Sequence, residues 1–204
     1  NTGSMQGLLS EGNKVWISKS KNPNRKLKYT LQIIEDDKSK VGVNTHLTNK
    51  IVEHSLTNNL IKEFKKKLNI KAEVKFGDKT RFDFLITKNN YKAFIEVKNV
   101  TLSRNKNIAE FPDSITTRGT KHLDELIKAK KKGFDIFIFF LVQREDCDYF
   151  KIAKDLDSAY SRLFIKALKK KLNVICYDCK FSSKGIKVNK RLKFLNKWIQ
   201  KFKN

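Results

Sequence analysis

Apolar and polar residues alternate along Arg81-Phe82-Asp83-Phe84-Leu85-Ile86, and the alternation returns in Ala93-Phe94-Ile95-Glu96-Val97-Lys98. A period of two places successive side chains on opposite faces of a strand. The first run therefore predicts Asp83 on a face with Arg81 and Leu85, opposite Phe82, Phe84 and Ile86. The second gathers Phe94, Glu96 and Lys98, opposite Ala93, Ile95 and Val97. Lys88-Asn89-Asn90 between them is a turn signal, so the two runs read as a hairpin with one apolar and one charged face.

The rest of the chain divides near residue 48. Before it, Val15-Trp16-Ile17, the run from Tyr29 to Ile34, and Val41-Gly42-Val43 are short strand-like stretches that read as a small β module over 1–48. After it, Ile51, Val52, Leu56, Leu60, Ile61, Phe64 and Leu68 fall at near-helical spacing and predict a helix over 49–68. Strands are expected at about 71–76, 81–87 and 91–98, then a helix over 116–132 stopped by Gly133. Phe134 to Val142 is an apolar run of strand length, best read as a central strand buried on both faces. A helix over 155–172 and a strand over 173–179 complete a mixed sheet flanked by helices, spanning 49–183. Residues 184–204 contain Lys and Arg but no acid, and Leu195, Trp198, Ile199 and Phe202 share a helical face there, so this stretch reads as a basic amphipathic segment. No internal repeat is visible.

Composition narrows the class. A chain of 204 residues can bury roughly 70% of its unfolded surface, enough for one domain and a small companion. No apolar run approaches the length of a membrane span, and no signal peptide is evident. Lys and Arg number 45 against 21 acids, a formal charge of +24, which makes a polyanion the natural partner. All but seven of the 45 are Lys, the bias of an AT-rich genome, but that bias does not explain the excess over acids. Cys147, Cys176 and Cys179 are too few for a disulfide framework and point to a reducing, cytoplasmic setting. Cys176 and Cys179 lie on one predicted strand, three apart and therefore on opposite faces, which argues against a zinc site. His46, His54 and His122 are scattered and read as structural or surface histidines.

The candidate chemistry sits on the hairpin. If pairing brings Asp83 and Glu96 to about 5 Å, the anions repel by roughly 3 kcal/mol at an effective dielectric near 20. A bridging Mg²⁺ or Mn²⁺ removes that cost. Magnesium is held by one or two carboxylates, waters and phosphate oxygens, so the implied substrate is a nucleic-acid backbone. Lys98, on the same face as Glu96, would orient water or stabilise the transition state. The competing reading is a solvated hairpin face. Glu73-Val74-Lys75 repeats the triplet but lacks an acid on an earlier strand, leaving Glu73 at most an auxiliary. Pro112-Asp113 follows the triplet and resembles a helix start.

These residues also carry a resemblance. The runs 81–85, 96–102, Phe111 to Leu123 and Val142-Gln143-Arg144 are similar to successive signature blocks of the sugar fermentation stimulation protein A family. Asn1 to Met5, Arg25-Lys26 with Lys28-Tyr29-Thr30, and Val41 to Thr45 resemble it too. The resemblance implies an OB-like β module joined to a PD-(D/E)xK nuclease-like domain, and non-specific DNA binding mainly through phosphates. Its nuclease motif falls on Asp83, Glu96 and Lys98. The family carries further residues upstream of the Asn-Thr-Gly block, so the β module is expected to be partial. Arg25, Lys26, Lys28 and Tyr29 combine cations with a ring, as OB-type surfaces do for nucleic acid. A Mg²⁺-dependent nuclease and a DNA-binding regulatory protein with an idle site both fit. A membrane-surface or RNA-binding protein leaves the Asp83, Glu96 and Lys98 cluster unexplained.

Overall fold

The computed structural model describes residues 3–36, 39–64, 68–78 and 80–196. The chain opens with an antiparallel sheet of β1 (Val15–Lys19), β2 (Tyr29–Asp36) and β3 (Ser39–Gly42), as the alternating runs predicted. Leu8, Ile34, Val41 and Val43 form its own small core.

A 3-10 turn over Thr45–Leu47, capped by the Asn44 side chain, leads into α1 (Thr48–Thr57). This helix ends well before residue 68. Asn59 takes a left-handed φ of 56°, the Leu60 N–H donates to the Ser55 carbonyl at 2.9 Å, and the Asn59 N–H donates to the Leu56 carbonyl at 3.2 Å. That is a Schellman-type stop, and Asn tolerates the left-handed backbone it needs. Ile61 and Phe64, the latter in a 3-10 turn over Lys62–Phe64, still reach the core that α1 serves, so their spacing mimicked a longer helix.

The main sheet takes β4 (Asn69–Phe76), β5 (Thr80–Lys88) and β6 (Tyr91–Val100) in antiparallel order. Two short strands follow, β7 (Leu102–Asn105) and β8 (Ile108–Phe111). The chain then crosses through α2 (Thr117–Lys131) to β9 (Asp135–Val142), which lies parallel to β6. After β10 (Tyr149–Ile152), α3 (Ser158–Lys169) returns it to β11 (Asn173–Ser182), parallel to β9. Strand β12 (Gly185–Arg191) pairs antiparallel with β11, and β13 (Lys193–Phe194) joins β10. The six-stranded order is β12-β11-β9-β6-β5-β4. Parallel neighbours need a crossover, and the two helices supply it.

The sheet is covered on both faces. On one, α1 packs Ile51, Val52 and Leu56 against Phe84, Ile95, Val97, Phe139 and Leu141. On the other, α2 and α3 pack Leu123, Leu126, Tyr160 and Phe164 against Phe94, Ile138 and Phe140. Each such fully buried aromatic or aliphatic side chain contributes about 1.5–3 kcal/mol. Thr116 caps α2 by accepting the Gly119 N–H at 3.1 Å. Gly119 is where α2 meets α3: a Cβ there would lie 3.2 Å from the Tyr160 ring and 2.8 Å from the Thr116 hydroxyl. Gly133, at φ 89°, turns the chain from α2 toward β9.

Other expectations change as well. The hairpin does not have one apolar and one charged face, because its sheet is sandwiched: Phe82 joins the α2 and α3 side while Phe84 and Ile86 join the α1 side. A second sheet, β13-β10-β8-β7, was not foreseen, since runs this short carry no readable period. Pro112-Asp113 is not a helix start but follows the end of β8, with Asp113 accepting the Ser4 N–H at 2.7 Å. Within 184–204, residues 185–191 form an edge strand and Leu195 is half-buried, whereas Trp198, Ile199 and Phe202 lie outside the described residues. Among the described residues no helix is long and apolar enough to cross a membrane.

The β module sits against the end of β9. The Gly42 N–H donates to the Gln143 carbonyl at 2.8 Å, and Val41 bridges to Arg144. A Cβ on Gly42 would come within 2.4 Å of Gln143 Oε1, so any larger residue there would have to displace the Gln143 amide. Gln143 in turn donates to Asn99 Oδ1 at 2.6 Å, one residue past Lys98. The Val142-Gln143-Arg144 block thus joins the module to the strand that carries the site.

Candidate metal and nucleic-acid site

Strands β5 and β6 pair from Lys88 opposite Tyr91 up to Phe84 opposite Ile95, and then part. Asp83 and Glu96 are the next residues on each strand, so both carboxylates stand where the sheet forks. The Asp83 carboxylate spans the opening. Its Oδ2 accepts the Val97 N–H at 2.7 Å, and its Oδ1 accepts from Asn49 Nδ2, on the first turn of α1, at 2.7 Å. On the other side of β5, Glu73 adopts a left-handed φ of 55° between the pairs Ala72–Phe84 and Val74–Phe82. The irregularity coincides with the change of face between Phe82 and Phe84.

Glu96 is 2% exposed. A solvated hairpin face is therefore ruled out. Lys98 Nζ donates to Glu96 Oε1 at 2.6 Å, and His122 Nδ1, from α2, lies against the same oxygen. Oε2 of Glu96 is buried and has no protein partner.

The two acids titrate differently. Burial, then the Glu96 charge, push Asp83 up from 3.8 to about 6, against the opposing bonds from Val97 and Asn49 and the charge of Lys98. Burial would also raise Glu96, but the Lys98 ammonium and the His122 contact outweigh it and hold Glu96 below its ordinary range. An ionised Glu96 thus faces an Asp83 that burial and like charge disfavour as an anion. A cation between them relieves both the burial and the repulsion. Among the described residues no three His, Cys, Asp or Glu side chains converge to form a metal cage. Two carboxylates with an unclaimed buried oxygen fit a hard cation whose remaining ligands are water and phosphate oxygens. They do not fit structural zinc, and the cysteines agree: all three are buried, with Cys176 and Cys179 on opposite faces of the sheet.

Asp83, Glu96 and Lys98 are brought together as the alternation predicted. Glu73 is not part of the group: it is 58% exposed and pairs with Arg81 at 3.6 Å on the sheet edge. His122 and Asn49 belong to the site and were missed. His122, read as structural, reaches Glu96 from a helix; its only sequence signal was membership of the Phe111 to Leu123 block. Arg25, Lys26, Lys28 and Tyr29 lie apart from the carboxylates, on the β module. All four are exposed, Tyr29 by 55%, and Arg25 donates to the Thr30 hydroxyl. A Tyr29 packed in the module's core is thereby excluded.

The fold defines the class, an OB-type module followed by a mixed α/β domain whose central sheet is covered by helices on both faces. Residues 1–43 match the family model described as the SfsA N-terminal OB domain, and residues 46–185 match the sugar fermentation stimulation protein RE domain. The chain belongs to the sugar fermentation stimulation protein (SfsA) family. It is 56% identical over 196 residues to the sugar fermentation stimulation protein homolog of Pelagibacter ubique, covering 96% of this chain and 84% of that one. The Brucella anthropi homolog is 42% identical over 187 residues, covering 91% of this chain and 81% of that one. Among solved structures, Pyrococcus furiosus SfsA in complex with Ca²⁺ superposes with a TM-score of 0.86 at 26% identity, covering 96% of this chain and 83% of that chain.

Proposed function

We propose that this protein binds DNA with little sequence preference and hydrolyses its phosphodiester bonds with Mg²⁺ or Mn²⁺. The observation that carries the reading is the pair of carboxylates at the strand fork, one of them buried with an oxygen that nothing in the protein satisfies. The Ca²⁺ in the Pyrococcus furiosus relative supports it, since Ca²⁺ and Mg²⁺ share a preference for oxygen ligands. Asp83 and Glu96 would hold the ion. When bound, it neutralises both carboxylates, polarises a phosphoryl oxygen and supplies an acidified water. Asn49 and the Val97 N–H fix the Asp83 carboxylate in place. Lys98, its ammonium 2.6 Å from Glu96 Oε1, would stabilise charge developing on the phosphate or orient the attacking water. Arg25, Lys26, Lys28 and Tyr29 would hold the strand on the β module through phosphate contacts and stacking. Three free cysteines, all buried, suit a reducing cytoplasm.

The test is incubation of the purified full chain with plasmid and single-stranded DNA, with and without Mg²⁺ or Mn²⁺. Asp83→Asn and Glu96→Gln should abolish metal-dependent cleavage while DNA binding persists, and Lys98→Ala should lose turnover. Glu73→Gln and Lys75→Ala should behave as the unaltered protein. Absence of cleavage with every divalent metal would leave a DNA-binding regulatory protein with an idle site.

A further inference from the structure

Resting on that metal reading, we propose that His122 is the fixed positioning residue of Glu96, and that its presence leaves Lys98 free to serve the reacting phosphate. The observation is an asymmetry. Glu96 Oε1 receives two partners, Lys98 Nζ at 2.6 Å and His122 Nδ1, while Oε2 receives none, although the residue is 2% exposed. A carboxylate held by one oxygen cannot turn without unpairing it, so Oε2 keeps one direction with its lone pairs unclaimed. One donor is enough to do this. The second is surplus to orientation and available for another role.

The two donors differ in what holds them. His122 follows the first turn of α2, whose start is clamped twice: the Thr116 N–H donates to the buried Asp157 Oδ2 at 2.9 Å, and the Thr116 hydroxyl caps Gly119 at 3.1 Å. Asp157 also accepts the Tyr160 N–H at 2.8 Å, tying the start of α3 to the same point. Leu123, beside His122, is buried in the core. The imidazole has two rotatable bonds and a fixed base. Lys98 reaches Glu96 on a flexible four-carbon stem from two residues along the same strand. If Lys98 alone held Glu96, its departure toward a phosphate would leave a buried carboxylate without a partner, a costly state. With His122 in place the departure leaves Oε1 bonded. The imidazole anchors the ligand, and the lysine is the member that moves.

The experiment is calorimetric titration of the full chain with Mn²⁺ and with Ca²⁺, comparing the unaltered protein with His122→Ala, His122→Asn, Lys98→Met and Asp83→Asn. His122→Ala should bind either ion about ten- to a hundredfold more weakly, the usual cost of losing a group that orients a metal ligand. His122→Asn, whose amide nitrogen can stand in for Nδ1, should recover affinity to within about threefold. Lys98→Met should bind as tightly as the unaltered protein or more tightly, because a competing cation is gone. Thermal melts accompany each titration; if His122→Ala fails to fold, His122→Phe, which fills the ring's space without a donor, takes its place and should show the same loss. His122→Ala within twofold of the unaltered protein, or an equal loss in Lys98→Met, would overturn the positioning role. An unaltered protein that binds neither ion, or an Asp83→Asn that binds as well, would instead overturn the metal reading beneath it.

Discussion

The Asp83 carboxylate accepts the backbone N–H of Val97 at 2.7 Å, just past the last pair of β5 and β6. A side chain here occupies a ladder position that a strand carbonyl would otherwise hold. The fork is thus closed by an acid rather than by backbone, and the acid is kept half-buried beside a second one. The energetic consequence is measurable without any assay of activity.

Because the folded-state carboxyl of Asp83 titrates at about 6 against an ordinary 3.8, the folded protein binds this proton more tightly than the unfolded chain. Its contribution to stability is therefore present at low pH and is lost as pH rises from about 4 to 6, a swing of about 3 kcal/mol. Asn at this position avoids the charge but spoils one of two hydrogen bonds, offsetting about 1 kcal/mol. Asp83→Asn should thus be more stable than the unaltered protein by about 1–3 kcal/mol at pH 7.5 in EDTA, with the gain shrinking toward pH 4.5. Urea denaturation at the two pH values measures this; parallel pH profiles for the two proteins would refute it. Divalent metal should stabilise the unaltered protein and not the variant.

DNA affinity should fall steeply with salt. Lys-rich surfaces contact phosphates rather than base edges, and six or more such contacts lose roughly a thousandfold between 50 and 200 mM salt. Fluorescence anisotropy with two unrelated duplexes should give matching slopes. A flat response would remove phosphate neutralisation as the basis of binding.

Replacing Arg25, Lys26 and Lys28 together with Ala should weaken DNA binding and leave the melting temperature nearly unchanged, because all three are exposed. Tyr29→Ala should weaken single-stranded DNA more than duplex, at about 1–3 kcal/mol for a lost stacking partner. Unaltered affinity in both variants would place the nucleic acid elsewhere.

Arg144→Met should destabilise the protein by about 3 kcal/mol. This guanidinium, 5% exposed, donates to Asp146 at 2.6 and 2.8 Å, to Asp36 of β2 at 3.0 Å and to the Thr101 carbonyl at 3.2 Å. Its removal leaves carboxylates of two elements facing each other without a partner. Limited proteolysis should cut the β module first. A variant that melts with the unaltered protein would show that the backbone contacts, Gly42 to Gln143 and Ser4 to Asp113 among them, secure the module without the guanidinium.

What could be read from the residues alone is what depends on neighbours along the chain. Asp83, Glu96 and Lys98 were legible because they lie on consecutive strands, where a period of two and a short turn suffice to place them. α2 and β9 were legible because helical spacing stopped by Gly133 and a nearly continuous apolar run are local signals. The remainder depends on packing. His122 and Asn49 meet the carboxylates from helices 26 and 34 residues away in sequence, and no periodicity or spacing in their own segments points to the contact. The hairpin's faces were misread because alternation reports a change of side, not what covers each side, and here helices cover both. α1 stopped at Asn59 although its apolar spacing ran on, since Ile61 and Phe64 fill the same core from another backbone. The fork itself, and the burial that makes Glu96 a buried carboxylate rather than a surface charge, exist only once β9 pairs with β6 and α2 packs over it, since solvent exclusion belongs to the packed chain and to no segment of it.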